Sequence, residues 1–324
     1  SLTGKNIITD AIIVMTPHKL PIFFAPLQGF TDAAYRYAHH AVCGGVEAYY
    51  APFLRLEHGE LRRRDVRDVE PSDVPLIPQV IAADVEEFRM LTQVLTDKGY
   101  RQIDINMGCP FPMQTRLGRG AGLLLHPERV ATIMEEVKRL STEGIQCSVK
   151  MRLGQESADE WQEILPILND APLHHITVHP RVGKQQYKGE VDMSAFANLY
   201  AASSHPVIYN GDLTTVADIE AVAAQFPNLS GIMIGRGLLA RPTLAEEYRT
   251  CKTYSDDEVR KRILAIHHEV LCHYEQTLEG GDAQVLQKIL PFWEYAGAAF
   301  DHRFVKRLKK CHNLQEYIYA TNNE

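Results

Sequence analysis

A chain of 324 residues with 45% hydrophobic residues can bury a full core, and its size suits one large barrel with a small appendage better than three domains. Its formal charge of −7 excludes attraction to nucleic acid by a basic surface throughout, so an RNA partner would need local basic patches. The six scattered cysteines read as free thiols with no metal site, and no apolar run or opening layout suits a membrane helix or secretory signal, so a cytoplasmic protein without membrane contact is expected.

Residues 1–20 read as an N-terminal extension without an assigned role. Apolar, β-branched runs then recur at 21–27, 46–53, 76–82, 102–108, 146–154, 174–180, 206–212 and 231–237, with room for one helix between neighbours. Amphipathic patterns at 84–98, 127–140, 158–168 and 215–225 supply such helices. Eight alternations over 21–248 predict an α/β fold, a (β/α)8 TIM barrel, rather than an open sheet. The strand signal then stops, and charged helices at 255–279, 281–300 and 303–319 predict a small C-terminal helical domain over 249–324. Arg62, Arg63 and Arg64 form a basic cluster read as a loop feature.

Side chains alternate along a strand, so each barrel strand sends one set inward. In the fourth run Gln102, Asp104 and Asn106 oppose Ile103, Ile105 and Met107; in the fifth, Ser148, Lys150 and Arg152 oppose Val149, Met151 and Leu153; in the sixth, His175, Thr177 and His179 oppose Ile176 and Val178. Barrel interiors are normally filled by branched apolar residues, so three polar inward faces point to a site at the carboxyl ends of the strands. The alternative is a structural ion network in which Asp104 pairs with Lys150 or Arg152.

Gly108, Cys109 and Pro110 end the fourth run and place a thiol at the barrel mouth, where a proton donor or nucleophile stands. Lys150, within an apolar strand, needs an anionic or electron-rich partner: a flavin ring, a phosphate or a Schiff base. His179 and Arg181 can bind an anion or hold a planar ring. Asn210, Gly211 and Asp212, followed by Gly235, Arg236 and Gly237, suit the phosphate of a mononucleotide, because glycines admit close backbone approach and Arg236 adds charge.

These residues resemble the tRNA-dihydrouridine synthases from about Pro21 to Tyr248. The resemblance rests on Ala25–Pro26 with Gly29–Asp32, on Gln79, Asn106–Pro110, Gly118–Leu125, Val149–Gly154 and His179–Arg181, and on the two glycine motifs above. It implies an FMN reduced by NADPH, hydride transfer to C6 of a flipped-out uracil, and protonation of C5 by Cys109 as general acid. It further implies Pro26, Gln79, Lys150, His179, Asn210, Gly211, Asp212, Gly235 and Arg236 as FMN contacts. Asn106, Arg152, Arg181 and Tyr187 are implied on the substrate side. Leu27, Gln28 and Pro52 depart from the family pattern, while Phe53–Arg55 is similar to the branch acting at position 16 of tRNA. In the family the helical tail grips tRNA, and Lys306, Arg307, Lys309 and Lys310 form the basic run that phosphate positioning needs; a monomer is expected. Three alternatives stay open: a dihydroorotate dehydrogenase-like FMN barrel acting on a free pyrimidine, a flavin-free lyase using Lys150, and a non-catalytic RNA-binding barrel.

Overall fold

The computed structural model describes residues 18–324. The expected extension therefore lies outside the described residues over 1–17, while Leu20 joins the barrel by donating its N–H to Tyr248 Oη at 3.1 Å.

Eight strands are arranged in one parallel sheet: β1 (Ile22–Phe24), β2 (Val46–Tyr50), β3 (Leu76–Ile77 and Gln79–Val80), β4 (Gln102–Met107), β5 (Gln146–Gly154), β6 (Leu173–Val182), β7 (Val207–Asn210) and β8 (Gly231–Ile234). β1 pairs with both β2 and β8, and the remaining neighbours follow in chain order. The third predicted run is not one continuous strand. Pro78, which has no N–H to give to a ladder, divides it, so that its first half pairs with β2 and its second with β4. That break lets one strand serve both neighbours and closes the eight-stranded ring.

The helices follow from local chemistry. Asp84 accepts from Glu87 N at 2.9 Å to start α3 (Val85–Asp97), and Thr215 with Asp218 forms the capping box that opens α7 (Val216–Gln225). Pro127 begins α4 (Pro127–Thr142), and α1 (Ala33–Val42), α5 (Trp161–Asn169), α6 (Met193–Ala202) and α8 (Leu244–Thr250) complete the outer ring with the short α2 (Arg63–Asp68). The basic cluster expected as a loop thus opens a helix: Arg62 is its N-cap, and Asp65 answers charge from Arg55, Arg62 and Arg64.

Ile103, Ile105, Met107, Val149, Met151, Ile176 and Val178 are fully buried between sheet and helices, each contributing roughly 1–3 kcal/mol of burial. Their polar alternates point into the barrel.

Beyond α8 come α9 (Asp256–Thr277), α10 (Gly281–Ile289), α11 (His302–Lys309) and α12 (Leu314–Asn322). The helix expected over 281–300 is broken into short turns after Ile289, where Pro291 cannot continue an α-helical ladder. The helix expected over 303–319 is two, because Asn313 accepts from Glu316 N at 2.9 Å and starts a new one. Trp293 Nε1 donates to the Tyr317 hydroxyl at 2.7 Å, and that hydroxyl shares a second hydrogen bond with His267 Nε2 at 2.6 Å. This bundle leans on the barrel: Tyr274 Oη donates to Asp32 Oδ2 at 2.5 Å, and Phe30 meets Tyr295 edge to face at 5.1 Å.

Candidate active site

The carboxyl ends of the strands open into a cavity of about 740 Å³. Every residue singled out for chemistry in the sequence lines it. Pro26 comes from the end of β1, Gln79 from β3, and Asn106 and Cys109 from β4 and the loop after it. Lys150 and Arg152 come from β5, and His179, Arg181 and Tyr187 from β6 and its following loop. Asn210, Gly211 and Asp212 end β7, and Gly235 and Arg236 follow β8.

Strand register stacks these side chains in layers. Gln79, Asp104 and Ser148 are level; Asn106, Lys150 and Thr177 lie one step nearer the mouth; Arg152 and His179 lie above them. In the lowest of these layers Gln79 Nε2 donates to Asp104 Oδ2 at 2.8 Å and Ser148 Oγ to Asp104 Oδ1 at 2.7 Å. Asp104 therefore pairs with neither Lys150 nor Arg152. Burial raises its carboxyl to about 6 against the pull of Gln79, Ser148 and Lys150, while both of its oxygens accept hydrogen bonds as a carboxylate's do.

The Cys109 thiol is buried against Phe53 and Ile81. Burial raises its pKa, and the Phe111 backbone, Arg152 and Lys150 only partly oppose this, so at neutral pH it holds its proton. Gly120 packs behind it with φ +60°; a Cβ there would lie 2.6 Å from the Cys109 carbonyl and 2.8 Å from its Cβ. The glycine-rich segment thus braces the thiol loop from outside the cavity.

Positive charge dominates the upper wall. Burial lowers Lys150 to about 8, aided by Arg152, and among the described residues its ammonium makes no hydrogen bond or close ion pair. Arg152 donates to the carbonyls of Val182, at 3.1 Å, and Gln186, at 2.5 Å, and faces the Tyr187 ring at 5.3 Å. Arg181 is answered by both oxygens of Asp212, at 2.8 and 2.6 Å, and Arg236 shares that carboxylate at 3.1 Å while stacking 4.3 Å from Tyr187. The Asp212 side chain thus holds two arginines in place. Asn210 likewise spends its Nδ2 on Met233 O at 3.0 Å, tying β7 to β8.

His179 is held neutral: burial drives its pKa well below the usual range, reinforced by Arg152, Lys150, Arg181 and Arg236. Arg181 donates to its Nε2 at 3.0 Å, and a guanidinium can only donate, so the ring proton is on Nδ1.

Sequence reasoning missed Glu294 and Tyr295, which reach the cavity from the C-terminal bundle, Tyr295 meeting Phe30 of the Gly29–Asp32 motif across the seam. No local signal marks these two; only packing brings residue 294 to a barrel mouth built from residues 25–240. Alternation shows Ser148 and Asp104 as inward-facing, but it does not name their partners.

A family model described as Dihydrouridine synthase (Dus) matches residues 23–313. The chain belongs to the dihydrouridine synthase family. Synthases of this family are oxidoreductases, which fits a reactive cavity at the strand ends. The chain is 27% identical over 272 residues to the probable tRNA-dihydrouridine synthase of Staphylococcus aureus (strain MRSA252), covering 79% of each chain. It is 30% identical over 237 residues to the tRNA-dihydrouridine(16) synthase of Cupriavidus necator, covering 70% of this chain and 73% of that one. Among solved structures, N-(5'-phosphoribosyl)anthranilate isomerase from Pyrococcus furiosus aligns with a TM-score of 0.43 and 12% identity over 71% of this chain and 97% of that one. The barrel assignment stands on the strand register itself.

Proposed function

We propose that this synthase reduces a uridine of tRNA to 5,6-dihydrouridine, with FMN as its resident cofactor and NADPH as reductant. The observation that carries the reading is a buried, protonated thiol beside a cation-rich cavity in a chain of this family.

The residues present fit FMN. A cavity of about 740 Å³ lies within the usual range for such ligands, and Lys150, Arg152 and Arg236 leave positive charge that one shared Asp212 does not balance. Gly211, Gly235 and Arg236 would hold the phosphate, Lys150 and His179 the electron-rich ring, and Gln79 and Pro26 its flank. When bound, FMN supplies the hydride that C6 of uracil receives.

The chain contributes the proton and the geometry. Cys109 keeps its thiol protonated and hands that proton to C5 as charge develops there, the general-acid role that contributes about 10²–10⁴-fold in rate. Asn106, Arg152, Arg181 and Tyr187 orient the base, which must leave its stack to reach so enclosed a site. Lys306, Arg307 and Lys309 on α11, with Lys310 at its end, hold RNA phosphates. The likeness to the Cupriavidus protein and the run Phe53–Arg55 support position 16 as the target. The reading includes a monomer working in the cytoplasm, with residues 21–248 as the catalytic unit and 249–324 as the RNA-holding one.

The test is the visible spectrum of the purified protein, its bleaching by NADPH and its reoxidation by unmodified tRNA. Reoxidation by tRNA supports the reading. Reoxidation only by free pyrimidine assigns the barrel to dihydroorotate-type chemistry, and a protein that takes up no flavin overturns the reading.

A further inference from the structure

Beneath the cavity, four side chains from three adjacent strands form one directed line of hydrogen bonds. Ser148 Oγ and Gln79 Nε2 donate to Asp104, at 2.7 and 2.8 Å; Asn106 Nδ2 donates to Gln79 Oε1 at 2.9 Å; and Asn106 Oδ1 accepts the N–H groups of Gly108, at 3.0 Å, and Cys109, at 2.9 Å. An amide side chain can ordinarily be turned end for end with little change in shape. Here neither can be. A carboxylate, which only accepts, closes one end of the line, and two backbone N–H groups, which only donate, close the other.

We propose that Asp104 is a positioning residue for the site: through Gln79 and Asn106 its carboxylate fixes the direction of every bond in the line and so pins the backbone that carries the Cys109 thiol. Gln79, Asp104 and Ser148 are fully buried, so no water competes for these bonds. A second consequence concerns the ligand. Gln79 and Asn106 both line the cavity, and each has one amide N–H left after its place in the line is filled. The floor therefore offers donors and selects a ring edge bearing carbonyl oxygens or other acceptors. Reversed amides would offer acceptors to the same edge and repel it.

The proposal rests on the proposed function only for the proton-donating role of Cys109. Its test reads the loop directly and is independent of turnover: iodoacetamide labelling of Cys109 in the full-length protein, followed peptide by peptide by mass spectrometry. Asp104→Asn replaces the acceptor-only end by an amide that can present either atom, so that the direction of the line is held from the Gly108 and Cys109 end alone. Labelling of Cys109 is then expected to rise about tenfold, the effect of losing one well-formed hydrogen bond. Ser148→Ala keeps the carboxylate and its bond to Gln79, and should leave labelling within about twofold. The double variant Asp104→Asn with Gln79→Glu moves the acceptor-only group one residue nearer, where it still receives the Asn106 Nδ2 bond, and should restore the slow rate. A residue that merely stabilises the fold would not be rescued in that way. Should Asp104→Asn fail to fold, Gln79→Met cuts the line with Asp104 in place and is expected to give the same rise. Labelling at the wild-type rate in Asp104→Asn or Gln79→Met, or no recovery in the double variant, overturns the proposal.

Discussion

The barrel interior is polar in two layers, and the layers are polar in different ways. In the lower one, the Tyr50 hydroxyl and His175 Nε2 share a hydrogen bond at 2.8 Å, His175 in turn meets His174 between their Nδ1 atoms at 2.8 Å, and Asp104 is satisfied by Gln79 and Ser148. The charged and imidazole groups of this layer each have a partner, and burial holds His175 neutral by lowering its pKa to about 3. In the upper layer Lys150 lacks a hydrogen-bond partner among the described residues, Arg152 meets carbonyls and a ring instead of a carboxylate, and one Asp212 serves two arginines. A polar interior that closes on itself is structural. One with surplus donors and positive charge is completed by an acceptor-rich, anionic ligand.

The difference can be broken from the mouth side most sharply at the thiol. Cys109→Ala should lower uridine reduction by about 10²–10⁴-fold, while flavin content and bleaching by NADPH remain. Full activity in that variant would remove Cys109 from the chemistry.

Lys150→Met should come next in size. Titration with FMN is expected to show affinity reduced by about tenfold or more, because an electrostatic partner is removed from a low-dielectric site. The pH dependence sharpens the same point. The folded-state pKa of Lys150, about 8, lies below the unfolded value of ~10.4, so between them the unfolded chain binds more protons. This group therefore contributes a penalty that is complete below pH 8 and is relieved as pH rises toward ~10.4. Melting of the ligand-free protein across that range should show a rise attributable to Lys150 that is absent in Lys150→Met; identical pH profiles would contradict it.

Tyr50→Phe attacks the lower layer instead. It leaves His175 Nε2 without its hydroxyl partner and should cost about 1–3 kcal/mol in denaturant unfolding, with FMN affinity unchanged. A matching loss of affinity would mean that the two layers are not separable.

The smallest effect is expected far from both. Replacing Lys306, Lys309 and Lys310 by Gln should weaken tRNA binding and flatten its dependence on log salt by about one unit for each phosphate no longer neutralised, with flavin reduction untouched. An unchanged salt slope would make that run an ordinary solvated face.

Much of this was legible because strands and helices declare themselves locally. Alternation along residues 146–154 predicted both β5 and which of its residues face inward, and motif residues at strand ends converge because parallel strands with helical crossovers all end on the same face of the barrel. The break at Pro78 was visible as a residue but not as a consequence, since only the assembled barrel shows that the half before it meets β2 and the half after it meets β4. The helix at Arg63–Asp68 was hidden by its short length and charge, and the splits after Ile289 and at Asn313 by apolar periodicity that runs on through them.

The sequence by itself determined the barrel, the place of the Cys109 thiol at its mouth and the cationic character of the surroundings, because these depend on residue type and on periods of two and 3.6. Only the tertiary structure decided how that chemistry is shared out. It assigned the Asp212 carboxylate to Arg181 and Arg236, set Gln79 and Asn106 in one direction between Asp104 and the Cys109 loop, and brought Glu294 and Tyr295 over the mouth. Those outcomes depend on which groups meet across distant parts of the chain, and a hydrogen bond acquires its direction only when both of its partners are in place.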